Sequence, residues 1–299
     1  MTNSVQRFTL ENLHTRGEWV SLEETWQKIQ DTNSNYPPAV RNVLGEALAA
    51  ISLLAESLKF DGSLTLQIRG TQPITMLVVQ ANSNAGIRGI AHWQGDIPDK
   101  TSFKQLFGTG TLVISVENTP KKGQQKGERY QSLVSLNGEN LAECFKEYFA
   151  QSEQLKTQLW LAADESRVAG LMLQSLPESK LDKVAQADNW THATLLAETI
   201  KKQELLTLDS ETLLNRLYHD EELRLYEPKN VYFECSCSQQ KIEDTIFSLG
   251  EKEANDIVIE HGEISINCEF CNTKYQLDAV DVNRLFSESK VTNNNKTLH

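Results

Sequence analysis

The chain contains 299 residues with a formal net charge of −12, and 23% of its residues are charged. This length predicts two domains and a sizeable buried core, and the acidic balance argues against nucleic acid as a partner because phosphates are also negative. The first ten residues show no basic stretch followed by a long apolar one, so we expect no secretory signal and a cytoplasmic location.

The clearest predicted helix begins at Pro37-Pro38 and ends before Asp61-Gly62. Its apolar residues recur every three or four positions, as on the buried face of a helix: Val40, Val43, Leu44, Ala47, Leu48, Ile51, Leu54, Ala55 and Leu58. Arg41, Glu46 and Glu56 lie within the same segment, so we expect a core helix and no membrane span. A shorter amphipathic helix is predicted over residues 22–29.

Strand patterns of alternating or β-branched residues follow this helix; they cover residues 63–69, 74–80, 86–93, 111–116, 129–136, 157–163 and 168–174. A helix over residues 140–150 interrupts the series and carries Cys144, which we interpret as a small core residue. Strands clustered apart from helices predict an α+β fold, with an N-terminal domain over residues 1–176 built on a largely antiparallel sheet.

The composition changes to helix-forming residues between Pro177 and Asn230, where we predict a helical linker over residues 177–230. Two amphipathic helices are predicted in it, over residues 190–200 and 210–218, the second capped at Asp209-Ser210. Helices this short are marginal in water, so they must dock on a neighbour and could be released at low cost. The polar tail over residues 287–299 is predicted to be disordered.

Four of the five cysteines lie in the last quarter of the chain, as Cys235-Ser-Cys237 and Cys268-Glu-Phe-Cys271. Two close thiol pairs are what a tetrahedral zinc ion needs, and Cys₄ zinc sites are usually closed structural ones. In a cytoplasmic chain the thiols stay reduced, so these cysteines indicate metal binding or redox activity and not a permanent disulfide framework. We therefore predict a small zinc domain over residues 231–286, held by Cys235, Cys237, Cys268 and Cys271.

The cysteine segment is itself acidic. Residues 231–280 contain ten acidic side chains against three lysines, a net charge of −7. A zinc ribbon that binds nucleic acid should carry a basic stripe, and this segment does not.

From the residues alone, two functional classes remain open: a zinc-ribbon module that binds nucleic acid or protein, and an enzyme, either a zinc hydrolase or a thiol–disulfide oxidoreductase. Four thiolates would leave no open zinc position for a catalytic water. No βαβ pattern of the thioredoxin type precedes Cys268-Glu-Phe-Cys271. The six histidines are scattered along the chain and suggest no catalytic constellation, so we expect that the protein is not an enzyme.

The chain resembles the heat shock protein 33 family of redox-regulated holdase chaperones nearly from end to end. The most specific part is Phe233-Glu-Cys235-Ser-Cys237-Ser with Cys268-Glu-Phe-Cys271 and Tyr275. Other matching stretches are Gly62-Ser-Leu-Thr-Leu-Gln67, Arg88-Gly89, Tyr148-Phe149-Ala-Gln-Ser152-Glu153-Gln154 and Leu173-Gln-Ser-Leu-Pro177. Gln72 and Ser132 stand where the family usually has glycine, and Lys156 where it usually has proline; we expect these departures to affect turns and packing in the first domain only.

The resemblance implies an ATP-independent chaperone that is inactive while it is reduced and holds one zinc ion through the four thiolates. It implies that oxidants form two disulfides, Cys235–Cys237 and Cys268–Cys271, and that zinc leaves while the C-terminal domain and linker unfold. Unfolding client proteins are the implied partners, and the implied active form is a homodimer, with neither nucleic acid nor membrane involved.

Overall fold

A computed structural model of the protein describes residues 2–32, 35–120, 127–153, 155–177 and 183–294. The chain divides into two compact units, Met1–Glu234 and Cys235–His299. The first unit thus includes the whole described part of the predicted linker, and the division falls at Cys235, four residues after the predicted boundary. Residues 178–182 of the linker and 295–299 of the tail lie outside the described residues.

Unit 1 contains two large sheets, in which strands pair as follows. The first sheet has the order β10-β1-β2-β9-β8, with β11 also paired to β1; its strands are β1 (Ser4–Leu10), β2 (Thr15–Leu22), β8 (Thr157–Ala163), β9 (Val168–Ser175), β10 (Leu223–Leu225) and β11 (Lys229–Asn230). The second has the order β12-β5-β4-β3-β6-β7; its strands are β3 (Gly62–Arg69), β4 (Ile74–Asn82), β5 (Gly86–Trp93), β6 (Thr111–Asn118), β7 (Arg129–Ser135) and β12 (Tyr232–Phe233).

The pairing within these sheets is antiparallel except between β12 and β5, which run parallel. The prediction of an α+β fold with largely antiparallel pairing is therefore confirmed. The hairpin of β1 and β2 was not predicted, because Gly17 and Glu18 interrupt the apolar pattern of β2.

The helices of unit 1 are α1 (Glu24–Asp31), α2 (Pro38–Ser57), α3 (Phe103–Phe107), α4 (Leu141–Tyr148), α5 (Lys183–Ala197), α6 (Lys202–Thr207) and α7 (Ser210–Leu217). A single π-helical turn, Phe149–Glu153, continues α4. The prediction over residues 140–150 is confirmed in position, and the predicted linker helix over 190–200 belongs to the longer α5, which ends at Ala197.

Helix α2 is the centre of the main core, because it packs against strands of both sheets. Pro38 occupies its first turn, where a missing N–H costs nothing. Gly45 permits the close approach to the first sheet, since a Cβ at this position would lie 2.5 Å from the Cβ of Ala163. Among the described residues α2 has the length and composition of a membrane span, but 72% of that window is buried inside the protein. It is a core helix, as predicted.

Unit 2 contains helices α8 (Gln239–Leu249), α9 (Glu251–His261) and α10 (Ala279–Asn294) and the hairpin of β13 (Ile264–Asn267) and β14 (Lys274–Leu277). Its small core comprises Ile246, Ala254, Val258, Ile264, Leu277, Val282 and Phe286. The tail over residues 287–299 is predicted to be disordered, whereas helix α10 extends as far as Asn294. Asp278 caps the N-terminal backbone of α10, and Val282 in its first turn is buried. A helix that is nucleated in this way gains one hydrogen bond with each added residue.

The three departures from the family pattern lie in unit 1, as expected. Gln72 lies in the turn between β3 and β4, beside Gly108, whose φ of 61° suits a residue without Cβ. Lys156 precedes β8 and accepts a hydrogen bond from the backbone N–H of Ser175. Ser132, expected to affect a turn or packing, lies within β7 and donates its hydroxyl to Tyr130 at 2.8 Å.

Candidate metal centre

Two short segments of unit 2 carry the four cysteines; we call them knuckle 1 (Cys235–Cys237) and knuckle 2 (Cys268–Cys271). Knuckle 1 leads directly into α8, whose N-terminus is capped by the Ser238 hydroxyl accepting from the Lys241 N–H at 3.3 Å. The Lys241 ammonium donates to the Ser236 carbonyl oxygen at 2.6 Å. Because Ser236 lies between the two cysteines, these bonds fix the backbone that carries both thiols.

Knuckle 2 closes the hairpin of β13 and β14. The N–H of Cys268 donates to the Thr273 carbonyl oxygen at 2.9 Å, and the N–H of Asn272 donates to the Cys268 carbonyl oxygen at 2.7 Å. Asn272 has a φ of 55°, a left-handed conformation that asparagine tolerates better than most residues. The tight turn therefore holds Cys268 and Cys271 on the side that faces knuckle 1.

The four thiols converge. Their sulfur atoms all lie within 4.8 Å of one another. Two close contacts run between the knuckles: Cys235 Sγ to Cys268 Sγ is 3.6 Å, and Cys237 Sγ to Cys271 Sγ is 3.4 Å. A tetrahedral ion with metal–sulfur bonds of about 2.3 Å requires sulfur–sulfur separations of about 3.8 Å. The donor set and its spacing thus fit one tetrahedral ion, and the sequence prediction named the residues that the fold brings together.

Two hydroxyl groups contact this sulfur cluster. The Tyr275 hydroxyl donates to Cys237 Sγ at 3.0 Å, and the Thr273 hydroxyl lies 3.1 Å from Cys271 Sγ. Neither contact was predicted from the sequence. Tyr275 was noted only as part of the family pattern, and Thr273 gave no signal at all, since a threonine in a turn is usually explained by the turn itself.

The metal-free thiols differ in acidity. Burial raises the pKa of Cys268 to about 12. Burial acts in the same direction on Cys271, but hydrogen bonds from the hydroxyl and backbone of Thr273, together with those to Cys237 and Cys235, outweigh it and lower the pKa of that thiol to about 7. The hydrogen bond to Cys237 raises the pKa of Tyr275 to about 12, so this phenol stays protonated and remains a donor.

The fifth cysteine is remote from this chemistry. Cys144 lies on α4 in unit 1, fully buried in the main core. Burial raises its pKa, which makes the thiol a poor nucleophile. The structure confirms that it is a core residue on a helix.

A second feature of functional interest is an apolar surface of the first sheet, which the linker helices cover. We call it the covered face; it comprises Phe8, Leu10, Trp19, Ala162, Ala169, Leu171 and Leu173. Helices α5, α6 and α7 bury this face with the apolar side chains Ala193, Ala197, Leu205, Leu206, Leu213, Leu214, Leu217 and Tyr218. Tyr218 also donates its hydroxyl to the Ala193 carbonyl oxygen at 3.2 Å, which ties α7 to α5. The linker helices thus shield the hydrophobic covered face from solvent.

The fold and the site define a class of protein: an α+β unit with a helical cover over one sheet face, followed by a small tetracysteine unit able to hold a metal ion. The comparisons with known proteins agree with this class of protein and identify a family within it. The family model described as Hsp33 protein matches residues 3–278. This chain belongs to the Hsp33 family, and it is a chaperone.

The relatives are similar over almost the full length of the chain. It is 40% identical to the 33 kDa chaperonin of Aliivibrio salmonicida, covering 99% of both chains. It is 42% identical to the 33 kDa chaperonin of Pseudomonas fluorescens, covering 100% of this chain and 98% of that one. The crystal structure of the 33 kDa chaperonin from Thermotoga maritima has the same fold, with a TM-score of 0.79, 21% identity and coverage of 96% of this chain and 99% of that one.

Proposed function

We propose that this chaperone is regulated by oxidation of the metal centre and that it holds clients without ATP hydrolysis. The observation that carries the proposal is the convergence of Cys235, Cys237, Cys268 and Cys271 within 4.8 Å. In the reduced chain these four thiolates would hold one zinc ion, whose chemistry suits a closed four-sulfur site. A closed site leaves no position for a catalytic water, so we infer a binding protein and not an enzyme.

Metal binding would make unit 2 conditionally folded. Its core contains few large apolar side chains, among them Ile246, Ile264 and Phe286. A structural zinc site supplies folding free energy on the order of 10 kcal/mol. Loss of the four-thiolate state should therefore unfold this unit.

Oxidation of the cysteines would remove the four-thiolate state. A thiolate attacks one oxygen of hydrogen peroxide, the O–O bond breaks, and a sulfenic acid and, after protonation, one water form. A second thiol then displaces the sulfenic oxygen as another water and leaves a disulfide, so that each disulfide consumes one peroxide. We propose the pairs Cys235–Cys237 and Cys268–Cys271. A disulfide bond is about 2.05 Å long, whereas the sulfurs of a tetrahedral site lie about 3.8 Å apart, so closing either pair is incompatible with the four-sulfur arrangement.

Clients would bind the covered face once the linker undocks. Phe8, Trp19 and Leu171 are buried beneath the linker, and their exposure would create an apolar patch of the kind that binds unfolded chains. We further propose that activation is accompanied by homodimerisation and that the protein acts in the cytoplasm. The net charge of −7 over residues 231–280 supports a protein client over a nucleic acid.

The test measures zinc content and suppression of client aggregation on one sample, before and after peroxide at elevated temperature. We expect one zinc ion per reduced chain, its release on oxidation, and suppressed light scattering from a thermally unfolding client only afterwards. The double variant Cys268→Ser, Cys271→Ser should hold little zinc. Zinc near zero in the wild type, or activity that is equal before and after peroxide, would reject the proposal.

A further inference from the structure

Tyr275 joins the two knuckles. It lies in β14, where it pairs with Ile266 of β13, so the hairpin that carries knuckle 2 also fixes the position of this side chain. Its hydroxyl nevertheless donates to a sulfur of knuckle 1, Cys237, which is 38 residues away in the sequence. The contact therefore links knuckle 1 to knuckle 2 without relying on a metal ion.

Thr273 makes the corresponding contact within knuckle 2, where its hydroxyl lies 3.1 Å from Cys271 Sγ. The backbone on either side of it is fixed, because the Thr273 carbonyl oxygen accepts from the Cys268 N–H and Asn272 before it adopts the left-handed turn. Each knuckle thus has one sulfur with a hydroxyl neighbour, Cys237 and Cys271. The two hydroxyl groups differ in origin, since one comes from the opposite knuckle and the other from the same turn.

A hydroxyl donor affects a thiolate in two ways. Hydrogen bonds to charged acceptors are about twice as strong as neutral ones, so the donor stabilises the anionic sulfur that a metal ion requires. The same hydrogen bond engages a lone pair of the sulfur, and the sulfur attacks an oxidant through its lone pair. The nucleophilicity of the thiolate therefore falls as the hydrogen bond stabilises it. Losing an outer partner of a metal ligand typically weakens metal binding 10- to 100-fold.

We infer that Tyr275 is a positioning residue that sets the oxidant threshold of the centre, by holding Cys237 in the four-sulfur arrangement and slowing its attack on peroxide. Thr273 has the same role for Cys271. This inference rests on the proposed redox function. It predicts that the hydroxyl group of Tyr275, and not its ring, determines how readily knuckle 1 is oxidised.

The first experiment compares Tyr275→Phe with the wild type as full-length, reduced, zinc-loaded chains. Tyr232→Phe is the matched control, since Tyr232 is a partly exposed tyrosine of unit 1. In a chelator competition we expect zinc to be held about 10-fold more weakly by Tyr275→Phe, and at fixed peroxide we expect zinc release to be several-fold faster. Timed alkylation with peptide mass spectrometry should show Cys237 oxidised earlier while Cys271 is unchanged.

Two further variants separate this role from a general loosening of unit 2. Thr273→Val should advance oxidation at Cys271 and leave Cys237 unchanged, which is the opposite selectivity. Replacement of Tyr275 by 3-fluorotyrosine makes the hydroxyl a stronger donor and should slow oxidation of Cys237, an effect that unfolding cannot produce.

Equal zinc affinity and equal oxidation order in Tyr275→Phe and the wild type would overturn the inference, as would oxidation of Cys237 and Cys271 advanced alike by both hydroxyl-removing variants. A fluorotyrosine variant oxidised faster than the wild type would also overturn it. Failure of the proposed function is distinguishable, because the wild type itself would then keep its zinc under peroxide.

Discussion

Arg167 donates from Nη1 to the carbonyl oxygen of Leu206 at 2.9 Å. Leu206 is the penultimate residue of α6, a linker helix, whereas Arg167 directly precedes β9 of the first sheet. The other guanidinium nitrogen, Nη2, lies 3.2 Å from Glu23 Oε2. The Arg167 side chain thus connects the linker helices to the rest of unit 1. It does so at the C-terminal end of α6, where carbonyl groups would otherwise lack a partner.

Arg167→Met should remove both polar contacts, while methionine keeps much of the apolar stem of the arginine side chain. Because the carbonyl group of Leu206 and the carboxylate of Glu23 lose a partner, we expect the free energy of linker opening to fall by about 1–3 kcal/mol. Hydrogen exchange of amides in α6 and α7 measures it. Arg216→Met is the control, since it breaks only an ion pair with Glu204 in which the arginine side chain is 63% exposed, and it should change opening by less than about 1 kcal/mol. Equal protection in wild type and Arg167→Met would contradict the role given to Arg167.

Leu213→Asp combined with Leu217→Asp should release α7 from the covered face. Both leucines are buried there, and an unpaired carboxylate in an apolar contact is costly. We expect aggregation of a client to be suppressed with less dependence on oxidant, while one zinc ion per chain is retained. The control is Leu195→Asp on α5, where the leucine is 56% exposed and should tolerate the charge. If the double variant still needed peroxide as the wild type does, undocking of α7 would not be the activating step.

Cys144→Ala should leave zinc stoichiometry and oxidative activation near the wild-type values. The thiol is buried in the core of unit 1, and burial raises its pKa, so it neither binds metal nor reacts readily. The small cavity should cost roughly 1–2 kcal/mol of stability. Metal analysis, aggregation assays and thermal unfolding check these three statements. Loss of activation in a folded variant would show that Cys144 takes part in the regulation.

Glu18 should make unit 1 less stable as pH rises. Its side chain is 1% exposed, and within the described part of the chain its Oε2 has no hydrogen-bond partner. Burial raises its pKa from 4.5 to about 7, although Arg16 opposes the shift. Since the folded state binds this proton more tightly, the stabilising contribution is complete below pH 4.5 and is lost as pH rises to about 7. The shift corresponds to about 3 kcal/mol.

Glu18→Gln should remove that pH dependence and stabilise unit 1 at pH 8 by about 1–3 kcal/mol. All five tryptophans lie in unit 1, so tryptophan fluorescence during denaturant unfolding reports on this unit alone. Glu211→Gln, on the exposed side of α7, serves as the control and should leave the pH profile unchanged. A wild-type minus variant difference that is constant from pH 4 to pH 8 would contradict the assignment of the shift to Glu18.

Elements with local signals can be predicted from the amino-acid sequence alone. The apolar repeat of α2, the alternation in β3 and the cap at Asp209 can all be recognised in short windows, because they depend on the backbone conformation of neighbouring residues. The four thiols that converge were also predictable from the sequence, since the ligand chemistry of cysteine does not depend on the rest of the fold.

Contacts between segments that are distant in the sequence depend on the folded structure. The hairpin of β1 and β2 escaped prediction because Gly17 resembles a strand-breaking residue. In the structure the ring of Phe8 occupies the space of a side chain at position 17, since a Cβ there would lie 2.2 Å from Phe8 Cζ. The chain after the linker helices returns to β1, where Leu225 pairs with Phe8, a contact across more than two hundred residues. No periodicity encodes such a partner.

The same distinction applies within the metal centre. Spacing predicted that the four cysteines form one cluster, but it could not predict that Tyr275 donates to Cys237 or that Cys235 lies against Cys268 and Cys237 against Cys271. These contacts depend on how the β13–β14 hairpin packs beside the start of α8, and that packing is fixed by the whole small core of unit 2. Local sequence sets backbone conformation and ligand chemistry, whereas the position of a side chain relative to a distant atom is a property of the folded core.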